Sequence, residues 1–279
     1  QTELKSSIIF CLDANSETRF CTCFKMDKVI NLGIPHVGEL IVENIDTPGL
    51  IQCLLVSETW KELAENVLLK RWKGKMFEAC ENGKTKVVQL LLERCNSEES
   101  GLNTKRKDGG IQDGVTTFMI SCIKGHKDIV QLFLDHSEII DLNAKDDDGW
   151  TAFMWACTFG QKGVVQLLLD HSEKIDLHAR DDDGSAFTLA CKWGPKDVVQ
   201  LLLDHSDRTI DPNVRGFHGR TAFMWACRNG HKDVVKLLLD HSERIDPNAT
   251  DIHGRTALMI AHNYGHTDIV KLIKAKLNI

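Results

Sequence analysis

Apolar positions from about residue 74 onward fall in a block that repeats every 35 residues, each copy opening on a glycine: Gly114, Gly149, Gly184, Gly219 and Gly254. In the copy from Gly149, Thr151 stands where a hydroxyl caps the free N–H groups of a first helix, Ala152 to Phe159, which Gly160 then ends. Val164, Val165, Leu168 and Leu169 follow at helical spacing and mark the buried stripe of a second helix. Such short helices cannot bury an apolar face alone, so neighbouring units must stack. The pattern predicts an all-α solenoid with a loop or finger between successive pairs.

These residues resemble the ankyrin repeat, and the resemblance covers residues 74–279 as about six units. Gly-His, which opens the family's second helix, stands at Gly125-His126, Gly230-His231 and Gly265-His266, and Asn-Ala leads into the next finger at Asn143-Ala144 and Asn248-Ala249. Thr-Ala-Phe-Met replaces the family's Thr-Pro-Leu-His at Thr151 to Met154 and Thr221 to Met224, so packing must substitute for the histidine's hydrogen bonds. An additional copy, Lys75 to Cys95, lacks a recognisable finger, is followed by a polar stretch from Asn96 to Asp113, and is expected to cap the stack. The Gly184 copy is one residue short before Cys191 and one long at Thr209, which predicts a finger set askew. Lys271, Lys274 and Lys276 give the last copy the polar outer face of a terminal repeat.

The resemblance implies a protein target held in a groove of finger tips and first helices. The positions flanking each opening glycine, and those just after the cysteine column, differ from copy to copy. Trp, Tyr and Arg dominate binding energy at protein interfaces. The candidate anchors are therefore Trp150, Phe159, Trp193, Arg220, Arg228 and Tyr264. The groove grades from acidic, near Asp147 and Asp182, to basic, near Arg220, Arg228 and Arg255, which predicts a partner segment of matching polarity. Trp155 and Trp225 share a column with Ile120, Leu189 and Ile260 and are expected in the core.

Upstream, residues 1–27 show no period and are expected to be a disordered tail, with Met26 the expected natural start. Residues 28–73 carry an unrepeated helical pattern, with Trp60, Leu63 and Val67 on one face. They resemble the F-box: Ile34-Pro35 matches its opening, Leu55-Val56-Ser57 with Trp60 its later signature, and Leu68 to Trp72 its close. That resemblance implies docking of a Skp1-type adaptor through Ile34, Pro35, Leu55, Val56 and Trp60, and so the substrate-recognition subunit of a Skp1–cullin–F-box ubiquitin ligase. The alternative is a passive ankyrin scaffold or inhibitor that recruits no ligase.

The chain is 42% apolar and 27% charged, which suits a sizeable core. A net charge of −6 without a Lys/Arg cluster argues against nucleic acid, and no apolar run reaches membrane-span length. Cytoplasm or nucleus, and a monomer outside the ligase complex, are expected. Cys122, Cys157, Cys191 and Cys227 share one column, where neighbouring helix axes about 8–10 Å apart exceed disulfide reach. A small buried residue is the reading for that column. Asp146-Asp147-Asp148-Gly149 lacks a calcium loop's first ligand and places Trp155 where its glutamate should be. Asp170-His171-Ser172 cannot align as a triad on one helix, and His136, His171, His205 and His241 are read as stabilising helix-end carbonyls. No catalytic residue, metal or cofactor is expected.

Overall fold

The computed structural model describes residues 58–94, 105–107, 113–205 and 210–278, together with Pro48 and Leu102. The chain divides into two compact units, Gln1–Lys73 and Gly74–Ile279. The tail of residues 1–27 and Ile34, Pro35, Leu55 and Val56 lie outside the described residues, as does the side chain of Trp60. In the first unit, helix α1 spans Glu58–Trp72. Its buried residues are Ala64, Leu68 and Trp72, one every fourth position, whereas Leu63 and Val67 are only half-buried. An i, i+4 row sets this buried line, and Leu63 and Val67 flank it.

Among the described residues the second unit holds six helix pairs in succession: α2 (Met76–Glu81) with α3 (Thr85–Arg94), α4 (Thr117–Lys124) with α5 (Lys127–Asp135), α6 (Ala152–Thr158) with α7 (Lys162–Asp170), α8 (Ala186–Trp193) with α9 (Lys196–Asp204), α10 (Ala222–Arg228) with α11 (Lys232–Asp240), and α12 (Ala257–Asn263) with α13 (Thr267–Leu277). Each first helix packs on the first helix of the next pair, and each second helix on the next second helix. The result is an all-α solenoid whose apolar stripes meet copy against copy. Phe118, Phe153, Phe187 and Phe223 form one fully buried column, and Cys122, Cys157, Cys191 and Cys227 another. All four of those cysteines, with Cys80, are free thiols.

Short helices need their ends satisfied, and the sequence supplies this locally. Thr116, Thr151, Ser185, Thr221 and Thr256 cap the first helices, each side chain accepting from the backbone N–H three residues on, at 3.3–3.4 Å. At the far ends of second helices, His136, His171 and His241 place Nδ1 at 2.8, 2.9 and 3.0 Å from the carbonyl oxygen four residues back. The Nδ1–H tautomer donates there, which answers carbonyls that a helix end leaves open.

The Gly-His pairs stitch one repeat to the next. His126 Nε2 lies 3.2 Å from the Glu81 carbonyl, His231 Nε2 2.9 Å from that of Lys192, and His266 Nε2 2.9 Å from that of Arg228. Gln161 does the same job by donating to Ile123 at 2.8 Å. Only at Pro195 does this register lose its donor. The glycine ahead of the next repeat's ring has two reasons to be glycine: Gly194 sits at φ +89°, and a Cβ there would come within 2.6 Å of His231 Nδ1. Asn143 and Asn213 form a second ladder. Asn143 donates to the Lys174 carbonyl at 3.0 Å and accepts from the Asp176 N–H at 2.8 Å, and Asn213 repeats this with Arg244 and Asp246 at 2.7 and 2.9 Å.

Two fingers add detail to the sequence reading. The first copy does have a finger, because the Arg106 N–H donates to Val115 at 3.0 Å and the Gly114 N–H to Arg106 at 2.8 Å. The long polar stretch between them hid the pairing. The Gly184 finger, one residue short, closes into a two-stranded hairpin, β1 (Arg180–Asp181) on β2 (Gly184–Ser185), with Arg180 opposite Ser185. The missing residue tightens the turn, so the N-cap Ser185 follows Gly184 directly.

Candidate functional site

The positions that follow the cysteine column converge on one face of the second unit. At the residue that ends or caps each first helix stand Lys124, Phe159, Trp193, Asn229 and Tyr264. Phe159 is 49% exposed, Trp193 56% and Tyr264 50%, although each is large and mostly apolar. The same helix register that buries the cysteine turns this position outward, so the exposure is built in by the fold. Finger tips add Phe217 and Ile252, also exposed.

Two clusters organise this face. In the first, half-exposed Trp150 sits 4.5 Å, centroid to centroid, from buried Trp155, which is 5.7 Å from Phe159. The Trp155 indole N–H donates to Asp146 Oδ2 at 2.6 Å, and Asp146 Oδ1 accepts from the Trp150 and Asp148 N–H groups at 2.7 and 3.1 Å. Burial pushes the Asp146 carboxyl above its ordinary range, with those hydrogen bonds partly offsetting it. This aromatic row is thus anchored to the base of its own finger.

The second cluster surrounds Trp225, which is 3% exposed. Lys192 Nζ lies 4.8 Å from its ring centroid, and the guanidinium carbons of Arg220 and Arg228 lie 4.9 and 5.0 Å away. Each is within cation–π range. Arg228 also donates through Nε to the Tyr264 hydroxyl at 2.9 Å, which lowers the phenol's pKa, and stands 5.1 Å from the Tyr264 ring. Asp251 is the local anion. Arg255 grips its Oδ2 with Nε and Nη2 at 2.9 and 2.7 Å, while its Oδ1 accepts from the His253 and Arg255 N–H groups. Burial pushes Asp251 up, but these hydrogen bonds and the Arg255 charge outweigh it and leave it at about 2.

Of the six anchors read from sequence, Phe159, Trp193 and Tyr264 are exposed, and Trp150 and Arg228 are half-exposed. Arg220 corrects that expectation: at 8% exposed it is buried beside Trp225, within 4.0 Å of Asp251, and burial with the nearby charges of Arg228 and Arg255 lowers its pKa. Val115, Ile123 and Ser185, also placed on the groove by the register argument, are buried. The cation sharing that sequence reasoning missed centres on Lys192, which bridges Asp183 at 2.5 Å and Trp225. The signal was present in the register, since Lys192 and Arg228 occupy the same column of consecutive copies.

Among the described residues no group of His, Cys, Asp and Glu is placed to hold a metal ion, and no helix is long and apolar enough to cross a membrane. Stacked helix pairs that present a variable row of large side chains define a protein-binding repeat scaffold. The family model for ankyrin repeats (3 copies) matches residues 76–181, 140–216 and 187–279. The chain belongs to the ankyrin-repeat family, whose repeats serve as protein-interaction modules.

Proposed function

We propose that this ankyrin-repeat chain is the substrate-recognition subunit of a Skp1–cullin–F-box ubiquitin ligase, without catalytic residues of its own, acting in the cytoplasm or nucleus. The repeat face holds the target, and the segment over residues 28–73 docks the adaptor through Ile34, Pro35, Leu55, Val56 and Trp60. The observation that carries the binding half is the outward row of Phe159, Trp193 and Tyr264, three large side chains held half-exposed at matching positions of rigid helices. The adaptor half is supported by the Leu55-Val56-Ser57…Trp60 spacing, with Trp60 in the first turn of a helix that ends on Trp72. Rate enhancement by such a subunit comes from proximity, since the target is held beside a charged transfer enzyme.

The test is co-purification of Skp1 with the full chain and with the triple variant Leu55→Ala, Val56→Ala, Trp60→Ala. Retention by the unmutated chain and loss from the variant is the expected result. If the unmutated chain retains no Skp1, the passive ankyrin scaffold becomes the reading.

A further inference from the structure

Trp155 and Trp225 occupy one register of the repeat, but only the first has its indole N–H satisfied. Two periods on from Asp146, the acceptor for Trp155, stands Gly216. No larger residue fits there, because a Cβ at Gly216 would collide with the carbonyl of Asp183 in the preceding, tightened finger. Trp225 Nε1 is therefore buried with no hydrogen-bond partner, and so is Arg220 Nε, whose nearest carboxylate, Asp251, is 4.0 Å off and already held by Arg255. Two orphaned donors, each on a side chain more than nine-tenths buried, belong to residues in contact with each other. Buried donors in native proteins are almost always satisfied, so this pair points to an acceptor from outside the chain.

The surrounding charge states what that acceptor is. Lys192, Arg220, Arg228 and Arg255 meet only Asp183 and Asp251 in this cluster, four cations against two carboxylates, in a chain of net charge −6. Lys192 and Arg228 are half-exposed and lie against the Trp225 ring, so they can swing toward an incoming anion and uncover the donors. Exposed Trp193 and Tyr264 flank the place.

Building on the reading of the repeat face as a protein-binding surface, we propose that the cluster around Trp225 takes an acidic segment of a protein partner, one Asp or Glu carboxylate accepting from Trp225 Nε1 and Arg220 Nε while Lys192 and Arg228 close over it. Gly216 makes the site by denying Trp225 an internal acceptor. The occupant is a peptide carboxylate, whose two oxygens can each accept from one of the two orphaned donors.

Fluorescence anisotropy with the full chain tests this, using a labelled Glu-rich dodecapeptide, the same peptide with Gln for Glu, and a version with phosphoserine for Glu. Expected are preference for the Glu peptide over the Gln peptide, weakening with salt, and a loss of roughly tenfold for Trp225→Phe, which keeps an aromatic ring, though a smaller one, and removes one charge-assisted donor. A circular dichroism melt reports whether Trp225→Phe is folded. If it is not, Arg228→Gln, altered at a half-exposed side chain, takes its place with a similar expected loss. Equal binding of the Glu and Gln peptides, undiminished binding by the folded variant, or binding of the phosphoserine peptide alone overturns the proposal. Skp1 retention, measured on the same preparation, reports on the ligase reading separately, so either can fail while the other stands.

Discussion

The indole N–H of Trp155 donates to Asp146 Oδ2 at 2.6 Å, tying a first helix to the finger ahead of it. Removing the carboxyl with Asp146→Ala strands this donor and the N–H groups of Trp150 and Asp148, at a cost of about 1–3 kcal/mol. Asp146→Asn keeps an acceptor and removes the ionisation that burial opposes. Because the folded-state pKa is raised, Asp146 contributes most below the ordinary carboxylate range, and that contribution is lost as pH rises through the raised value. Urea melts should therefore show wild type gaining on Asp146→Asn as pH is lowered from 7 to 4. A difference that stays constant over that range refutes the assignment.

How much of this was legible in the sequence depends on whether the interaction lies within one repeat or between two. The N-caps, the first-helix column of Phe153 and Cys157, and the outward turn of Phe159 and Trp193 follow from helical period and the 35-residue spacing, and each was readable. Arg220 was not, because its burial depends on Trp225 at i+5 and Asp251 in the next finger. The first finger was hidden for a related reason: Arg106 pairs with Val115 across a stretch of unrelated length, so no period announces it. Nor could composition reveal that Gly216 is forced by the carbonyl of Asp183, since that close approach crosses two fingers.

Asp251 works in the opposite sense to Asp146. Its folded-state pKa of about 2 lies below the ordinary carboxylate value, so the stability it contributes is present above about pH 4 and lost as pH falls through 2. Asp251→Asn leaves Arg255 and Arg220 without their counter-charge and should lower stability at pH 7 by about 1–3 kcal/mol. Chemical denaturation at pH 7 and pH 3 checks the sign: the deficit must narrow at the lower pH, and a deficit that widens contradicts the ion-pair account.

Asn143 and Asn213 each make two hydrogen bonds into the following repeat, while exposed His178 takes the same register and none of those contacts is shown for it. Asn143→Ala and Asn213→Ala should each cost about 1–2 kcal/mol, against less than about 0.5 kcal/mol for His178→Ala. Equilibrium urea midpoints compare the three directly. Equal effects at all three positions would mean the asparagines serve their own loops and not the junction between repeats.

The cysteine column offers a readout of the whole stack without any substitution. Cys80, Cys122, Cys157, Cys191 and Cys227 are each 0% exposed, and burial pushes their thiols up, Cys80 to about 12 and the others further. The thiolate is the reactive form, so both inaccessibility and the raised pKa protect them. Titration of the native chain at pH 8 with an aromatic disulfide reagent should leave these five of the ten cysteines unreacted, and mass spectrometry identifies which. On adding urea they should become reactive with the unfolding transition. Since stacked repeats are coupled through their neighbours, the end-positioned Cys80 should react at lower urea than the central Cys157 and Cys191. Early labelling of Cys157 instead would place the weakest junction inside the stack, where Pro195 lacks the donor that His126, Gln161, His231 and His266 provide.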